Sequence, residues 1–178
     1  RPRENLLPCP PMRRLLGATC AILVMFSFAP AAHAVPDGDL QPYLERFEPL
    51  RLDWPATGTV TSEWGPRWGR MHLGIDVGIL EKLDVTAAKG GTVTKAGWLP
   101  GYEGYGLTVL VDVGDGYSVL YAHFSSIAVK PGQWVNTGDL LGMAGCTGSC
   151  TGTHLHFELR KDGQPLDPAA FMRADNVG

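Results

Sequence analysis

The residues that could do chemistry fall in three short stretches. His72 and Asp76 stand four apart in Met71-His72-Leu73-Gly74-Ile75-Asp76-Val77. His123 follows Tyr121-Ala122, and His154 and His156 stand two apart in Thr151-Gly152-Thr153-His154-Leu155-His156-Phe157-Glu158-Leu159-Arg160. In the last stretch Leu155, Phe157 and Leu159 alternate with His154, His156, Glu158 and Arg160, the period of a half-buried β-strand. Its apolar side would face a core. The two imidazoles would project together from the other side, about 6.6–7 Å apart along the strand. Two histidines so arranged can form half of a metal site, although a strand can also carry two solvated histidines.

His72 and Asp76 set a geometric condition. Residues four apart in a straight strand are about 13 Å apart, too far to share a metal. A helix would join them, but Gly74, Ile75 and Val77 disfavour one. Gly74 permits a sharp bend, so a shared metal requires a kinked segment here. The plain alternative is an exposed histidine and a turn-capping aspartate. Two histidines and a carboxylate suit zinc, and three protein ligands with one open position is the catalytic arrangement. Zinc lowers the pKa of water from about 15.7 to about 7. Spare imidazoles could then move protons and hold the developing oxyanion. Spacing does not decide which of His154 and His156 is the ligand.

These groups must be held by strands. Gly58–Ser62, Met71–Val77 and Gly91–Ala96 read as strands, with a Gly/Arg/Trp loop from Trp64 to Arg70. Leu107–Val113 and Tyr117–His123 form a hairpin around Asp115-Gly116, a favoured tight-turn pair. Leu110 makes the first arm look buried on both sides. Short strands are expected near Ile127–Val129, Gln133–Val135 and Leu140–Met143. Asp162-Gly163 turns the chain again before a short C-terminal helix at Pro168–Met172. The expectation is an all-β domain, a sandwich or barrel-like arrangement of short antiparallel strands, over residues 54–178. The 23 glycines and 14 prolines in 178 residues agree with many turns.

Residues 1–34 read as a leader. Met12-Arg13-Arg14 is a basic start, Leu15–Phe28 is apolar, and Ala32-His33-Ala34 is a cleavage signature, with residues 1–11 upstream of the start. Cleavage after Ala34 implies export to a periplasm, cell wall or medium, without stable membrane insertion. Residues 35–53 form a polar lead-in with one or two helical turns through Leu40, Tyr43, Leu44 and Phe47. Residues 35–178 carry 11 Lys and Arg against 17 Asp and Glu, a net charge of −6. With no basic patch or arm, nucleic acid is not an expected partner. Cys146 and Cys150 survive cleavage. Export permits a disulfide; two thiolate metal ligands are the rival reading.

The chain resembles the lysostaphin-type, or LytM-domain, zinc endopeptidases of bacterial cell walls. The resemblance rests on His72-Leu73-Gly74-Ile75-Asp76, on Tyr121-Ala122-His123-Phe124-Ser125-Ser126, and on Gly145 through His154-Leu155-His156-Phe157-Glu158. It covers roughly Trp54 to Phe171. It implies a β-sheet domain of the duplicated hybrid motif type, with a groove floored by strands and walled by loops. It implies one zinc ion held by His72, Asp76 and His156, with His123 and His154 as non-ligand catalytic histidines. It also implies peptidoglycan as the partner and hydrolysis of peptide bonds in its stem peptides or cross-bridges. A disulfide between Cys146 and Cys150 would replace a loop contact that is often polar in the family.

Departures fall on the expected groove walls. Arg67–His72 is short, Leu80–Asp84 lacks the usual Gly-Thr-Pro turn, and Leu107 stands where Asn is common. They bear on substrate choice more than on catalysis. Trp64, Trp68, Tyr102 and Tyr105 are wall candidates, or simply pack the loops. Two other readings are a non-catalytic relative that binds peptidoglycan or activates an amidase, and a sugar-transport phosphocarrier domain, similar in fold. The complete histidine set argues against the first and the export leader against the second.

Overall fold

The computed structural model describes residues 49–174. The leader and the expected turns between Leu40 and Phe47 lie outside the described residues. Twelve strands follow: β1 Thr59–Ser62, β2 Gly65–Arg67, β3 Arg70–His72, β4 Ile75–Gly78, β5 Asp84–Thr86, β6 Gly91–Trp98, β7 Leu107–Gly114, β8 Tyr117–Ile127, β9 Trp134–Val135, β10 Leu140–Ala144, β11 Leu155–Lys161 and β12 Gln164–Leu166. The expected C-terminal helix is a single 3-10 turn, Pro168–Phe171, capped by the Asp167 carboxylate accepting from the Ala169 amide.

Ten strands form one network in the order β1-β4-β11-β8-β7-β6-β9, with β12 on β11 and β10 joining β5 to β8; β2 and β3 form a separate ribbon. Every one of these ladders is antiparallel. The all-β expectation holds. The sheet does not close into a barrel, because β1 and β9 end the path without pairing to each other.

β11 shows why the sequence folds this way. Leu155, Phe157 and Leu159 are fully buried in the main core with Ile75, Val77, Val119 and Tyr121. Each such side chain contributes about 1.5–3 kcal/mol. The opposite side of the sheet is not left to water. There Leu110, Leu120 and Ala122 form a second small core under Leu99, Tyr102 and Tyr105. Leu110 is therefore buried on the side away from the main core, while Val109 and Val111 point into it.

Three local features position the site; the first is the kink that a shared metal required, and the other two differ from the sequence reading. The Met71–Val77 segment is two strands, broken at Leu73-Gly74. Gly74 is required there for space: a Cβ would lie 2.2 Å from the Phe157 carbonyl oxygen. The expected loop from Trp64 to Arg70 is instead the β2–β3 ribbon, turned by Trp68 (φ 46°) and Gly69 (φ 75°). Finally, β8 runs past His123 to Ile127 and changes partner on the way. Residues Tyr117–Ala122 pair with β11, and Phe124–Ile127 pair with β10. His123 sits at the changeover with φ 64°.

Candidate metal centre

His72 ends β3, Asp76 is the second residue of β4, and His156 is the second residue of β11. The β4–β11 register sets His156 directly opposite Asp76. The break at Leu73-Gly74 folds His72 back onto the same point. His72 Nε2 lies 3.1 Å from Asp76 Oδ1, His156 Nδ1 lies 2.8 Å from it, and the two ring nitrogens are 3.1 Å apart. All three residues are more than nine-tenths buried. Their ligand atoms lie within 4.8 Å of one another.

The far nitrogen of each ring is already engaged. His72 Nδ1 is 2.7 Å from the Glu63 carbonyl oxygen, and His156 Nε2 is 3.0 Å from Glu158 Oε1. Both partners are acceptors, so each ring places its N–H outward and its lone pair inward. Two imidazole nitrogens and one carboxylate oxygen then converge on one point. That donor set fits zinc, and each histidine has the outer acceptor expected of a metal ligand. Without a cation, protons must hold the cluster together. Burial works to raise the Asp76 carboxyl, but the hydrogen bond and charge of His156, with His72 and His154, bring it to about 2. Burial works to lower His156, and Asp76 and Glu158 outweigh it and raise the imidazole.

His123 and His154 stand beside this cluster, with ring centroids 4.7 Å apart. His123 Nδ1 donates to the Thr147 carbonyl oxygen at 2.7 Å, and His154 Nδ1 is 2.8 Å from that of Gly152. His154 Nε2 lies 3.7 Å from Asp76 Oδ1. Burial lowers the His123 pKa, and the nearby rings of His154 and His156 add to this against the Thr147 bond. His123 is therefore a neutral imidazole at neutral pH. A β-bulge re-aims a side chain, and the left-handed backbone of His123 falls at such a break in the ladder.

The cluster floors an open cleft of about 590 Å³, the size of a ligand site. Arg67, Trp68 and Met71 line it on the β2–β3 side, with Tyr105 and Ser149 opposite. Of the four aromatic wall candidates, Trp68 and Tyr105 line the cleft. Trp64 packs against the main core, and Tyr102 packs on the second core. Cys146 and Cys150 form a disulfide with Cα atoms 5.3 Å apart, so they are not thiolate ligands. The bridge spans the loop that carries Thr147.

Three residues were not singled out from sequence. Glu158 is fully buried against His156; its place on the histidine side of the strand was legible from the alternation. Arg67 reaches Asp76 Oδ2 at 3.4 Å, hydrogen-bonds Ser62 Oγ and stacks on Trp68. Thr147 holds the Leu107 amide and the Phe124 carbonyl as well as His123. Nothing local in the sequence marks either role.

The family model for Peptidase family M23 matches residues 70–168, which hold all five site residues and the disulfide. The chain belongs to peptidase family M23. Among its M23 relatives, the lipoprotein NlpD/LppB homolog of Pseudomonas aeruginosa is 36% identical over 119 residues, covering 67% of this chain and 39% of that protein. The DD-carboxypeptidase/endopeptidase Mpg of Neisseria meningitidis is 38% identical over 101 residues, covering 57% and 23%. The murein hydrolase activator EnvC of Escherichia coli is 32% identical, covering 67% and 28%. The chain thus spans well under half the length of these curated relatives. Among solved structures, the catalytic domain of lysostaphin from Staphylococcus simulans aligns with TM-score 0.58 and 30% identity, covering 64% of this chain and 91% of that one. A zinc containing peptidase from Vibrio cholerae aligns with TM-score 0.59 and 28% identity, covering 70% and 40%. The resemblance read from the three motifs is thereby borne out, in fold and in family.

Proposed function

We propose that the chain is an exported zinc endopeptidase that hydrolyses peptide bonds in peptidoglycan stem peptides or cross-bridges. The observation that carries this reading is the convergence of His72 Nε2, Asp76 Oδ1 and His156 Nδ1, flanked by His123 and His154. The leader-like residues 12–34 support export. The family, the lysostaphin catalytic domain and the similarity to the DD-carboxypeptidase/endopeptidase Mpg support the bond class.

His72, Asp76 and His156 would hold zinc, which supplies Lewis-acid polarisation and acidifies water. The protein's own groups do the rest. Neutral His123 takes the proton of the attacking water at Nε2, because its Nδ1–H is committed to Thr147. His154, likewise anchored through Nδ1, turns Nε2 toward the cleft, where it holds the developing oxyanion once it carries a proton on Nε2 as well. The proton on His123 then passes to the leaving amine. Arg67 steadies the outer oxygen of Asp76.

One further reading has an observation behind it. Similarity to a murein hydrolase activator fits a chain that stimulates another hydrolase without cleaving anything itself. Digestion of peptidoglycans that differ in bridge, followed by mass spectrometry of the released peptides, separates the two. The peptidase reading expects new peptide termini that disappear with a chelator. Metal-loaded protein that releases no peptide from any sacculus, yet stimulates an amidase, would replace it with the activator reading.

A further inference from the structure

Glu158 is fully buried, two residues along β11 from His156. Its carboxylate is engaged on both oxygens. Oε1 accepts from His156 Nε2 at 3.0 Å and from the Tyr105 hydroxyl at 2.7 Å. Oε2 accepts from Arg160 Nε at 2.8 Å and Nη2 at 2.6 Å. Arg160 continues to the Tyr102 hydroxyl at 3.3 Å, with its guanidinium 5.7 Å from that ring. Desolvating a carboxylate is costly, and an apolar residue packed on Leu120 would satisfy the second core more simply. A salt bridge to Arg160 alone would neutralise Glu158. It does not account for the bonds to His156 and Tyr105.

We propose that Glu158 is a positioning residue for the metal centre, and that Tyr105 ties the cleft wall to it through the same carboxylate. An anionic acceptor at Nε2 keeps the single proton of neutral His156 on that nitrogen. The Nδ1 lone pair is left facing His72 and Asp76, and the ring becomes a stronger donor. His72 receives weaker support, from the neutral Glu63 carbonyl. Tyr105 lines the cleft, and its ring lies 5.5 Å from that of His156. The wall between β6 and β7 is thereby connected to a ligand through one hydrogen-bonded chain, Tyr105–Glu158–His156.

This inference rests on the zinc-binding half of the proposed function, and its test needs no substrate. Zinc affinity is measured by chelator competition for wild type, Glu158→Gln and Tyr105→Phe, with circular dichroism as the folding check. Glu158→Gln keeps the shape and removes the charge; the expected loss of affinity is about 10–100-fold, with a smaller loss for Tyr105→Phe. In the zinc-loaded wild type, long-range proton–nitrogen correlation spectra should show His156 protonated at Nε2 and metal-bound at Nδ1. Wild-type affinity in a folded Glu158→Gln protein, or a His156 ring protonated at Nδ1, would overturn the proposal. If Glu158→Gln does not fold, the Tyr105→Phe affinity and the wild-type tautomer decide the matter in the same directions. An inactive protein that passes these tests sinks only the peptidase reading, whereas a wild type that binds no zinc sinks both.

Discussion

His156 faces Asp76 across the β4–β11 ladder, and its Nδ1 lies 2.8 Å from the Asp76 carboxylate. His123, one strand further on, reaches toward the same point without belonging to the ladder position that aims ligands. Removing the two rings should therefore have different consequences. His156→Ala is expected to abolish zinc binding and activity together. His123→Ala is expected to keep zinc and lose about 10²–10⁴-fold in turnover. Metal analysis of the purified variants beside peptide-release assays checks both. Hydrolysis by His156→Ala with zinc excluded would show that the ligand assignment is wrong.

The pH dependence of zinc binding follows from the same pair. In the metal-free protein His156 is raised above the ordinary imidazole value, and Asp76 is held at about 2. Zinc needs the His156 Nδ1 lone pair. Below the raised His156 value, binding must expel a proton, so apparent affinity falls as pH falls, by about tenfold per unit for one proton. Above it the dependence flattens. Asp76 is ionised throughout that range and adds no slope. Calorimetry in two buffers of different ionisation enthalpy counts the released proton. An affinity that does not change between about pH 5 and 8 would contradict the raised His156.

Much of this arrangement was legible because side-chain alternation on β11 and the spacing around Gly74 each impose a geometry. Leu155, Phe157 and Leu159 had to face the core, so His154, His156 and Glu158 had to share the other side. The need for a kink between His72 and Asp76 was visible too, although Gly74 provides closeness to the Phe157 backbone and not merely a bend. The hairpin at Asp115-Gly116 was legible from its turn residues. Other features depend on partners distant in sequence. β5 is three residues long and pairs only with β10, some 55 positions away. The β2–β3 ribbon turns at Trp68, whose left-handed backbone its side chain does not advertise. Which of His154 and His156 joins Asp76 was set by the β4–β11 register, which spacing within one strand cannot express.

The disulfide should matter more to turnover than to metal binding. Cys146 and Cys150 bracket a loop whose Thr147 carbonyl anchors His123, while the three ligands lie on β3, β4 and β11. The Cys146→Ser/Cys150→Ser double variant is expected to lose roughly 2 kcal/mol of stability. It should keep wild-type zinc affinity and show reduced kcat. Thermal denaturation, chelator competition and peptide release measure the three quantities. A loss of zinc affinity as large as the loss of kcat would mean that the loop supports the whole site, not His123 alone.

His123 holds a backbone conformation that L-residues avoid, with φ 64° where β8 leaves β11 for β10. A non-glycine residue there costs about 1–2 kcal/mol. This conformation aims the imidazole into the cleft, so the strain accompanies its function. Comparing two variants that both lack the ring isolates the backbone term. His123→Gly and His123→Ala should be equally inactive and should bind zinc equally. His123→Gly should nevertheless unfold at higher denaturant, by about 1 kcal/mol, since glycine adopts this φ without the Cβ clash and gives back part of the gain as unfolded-state entropy. Urea denaturation of the zinc-free variants measures the difference. An alanine variant as stable as the glycine variant would show that the β8 changeover relaxes once the ring is gone, so that the imidazole's bond to Thr147, and not the strand break, enforces the left-handed turn.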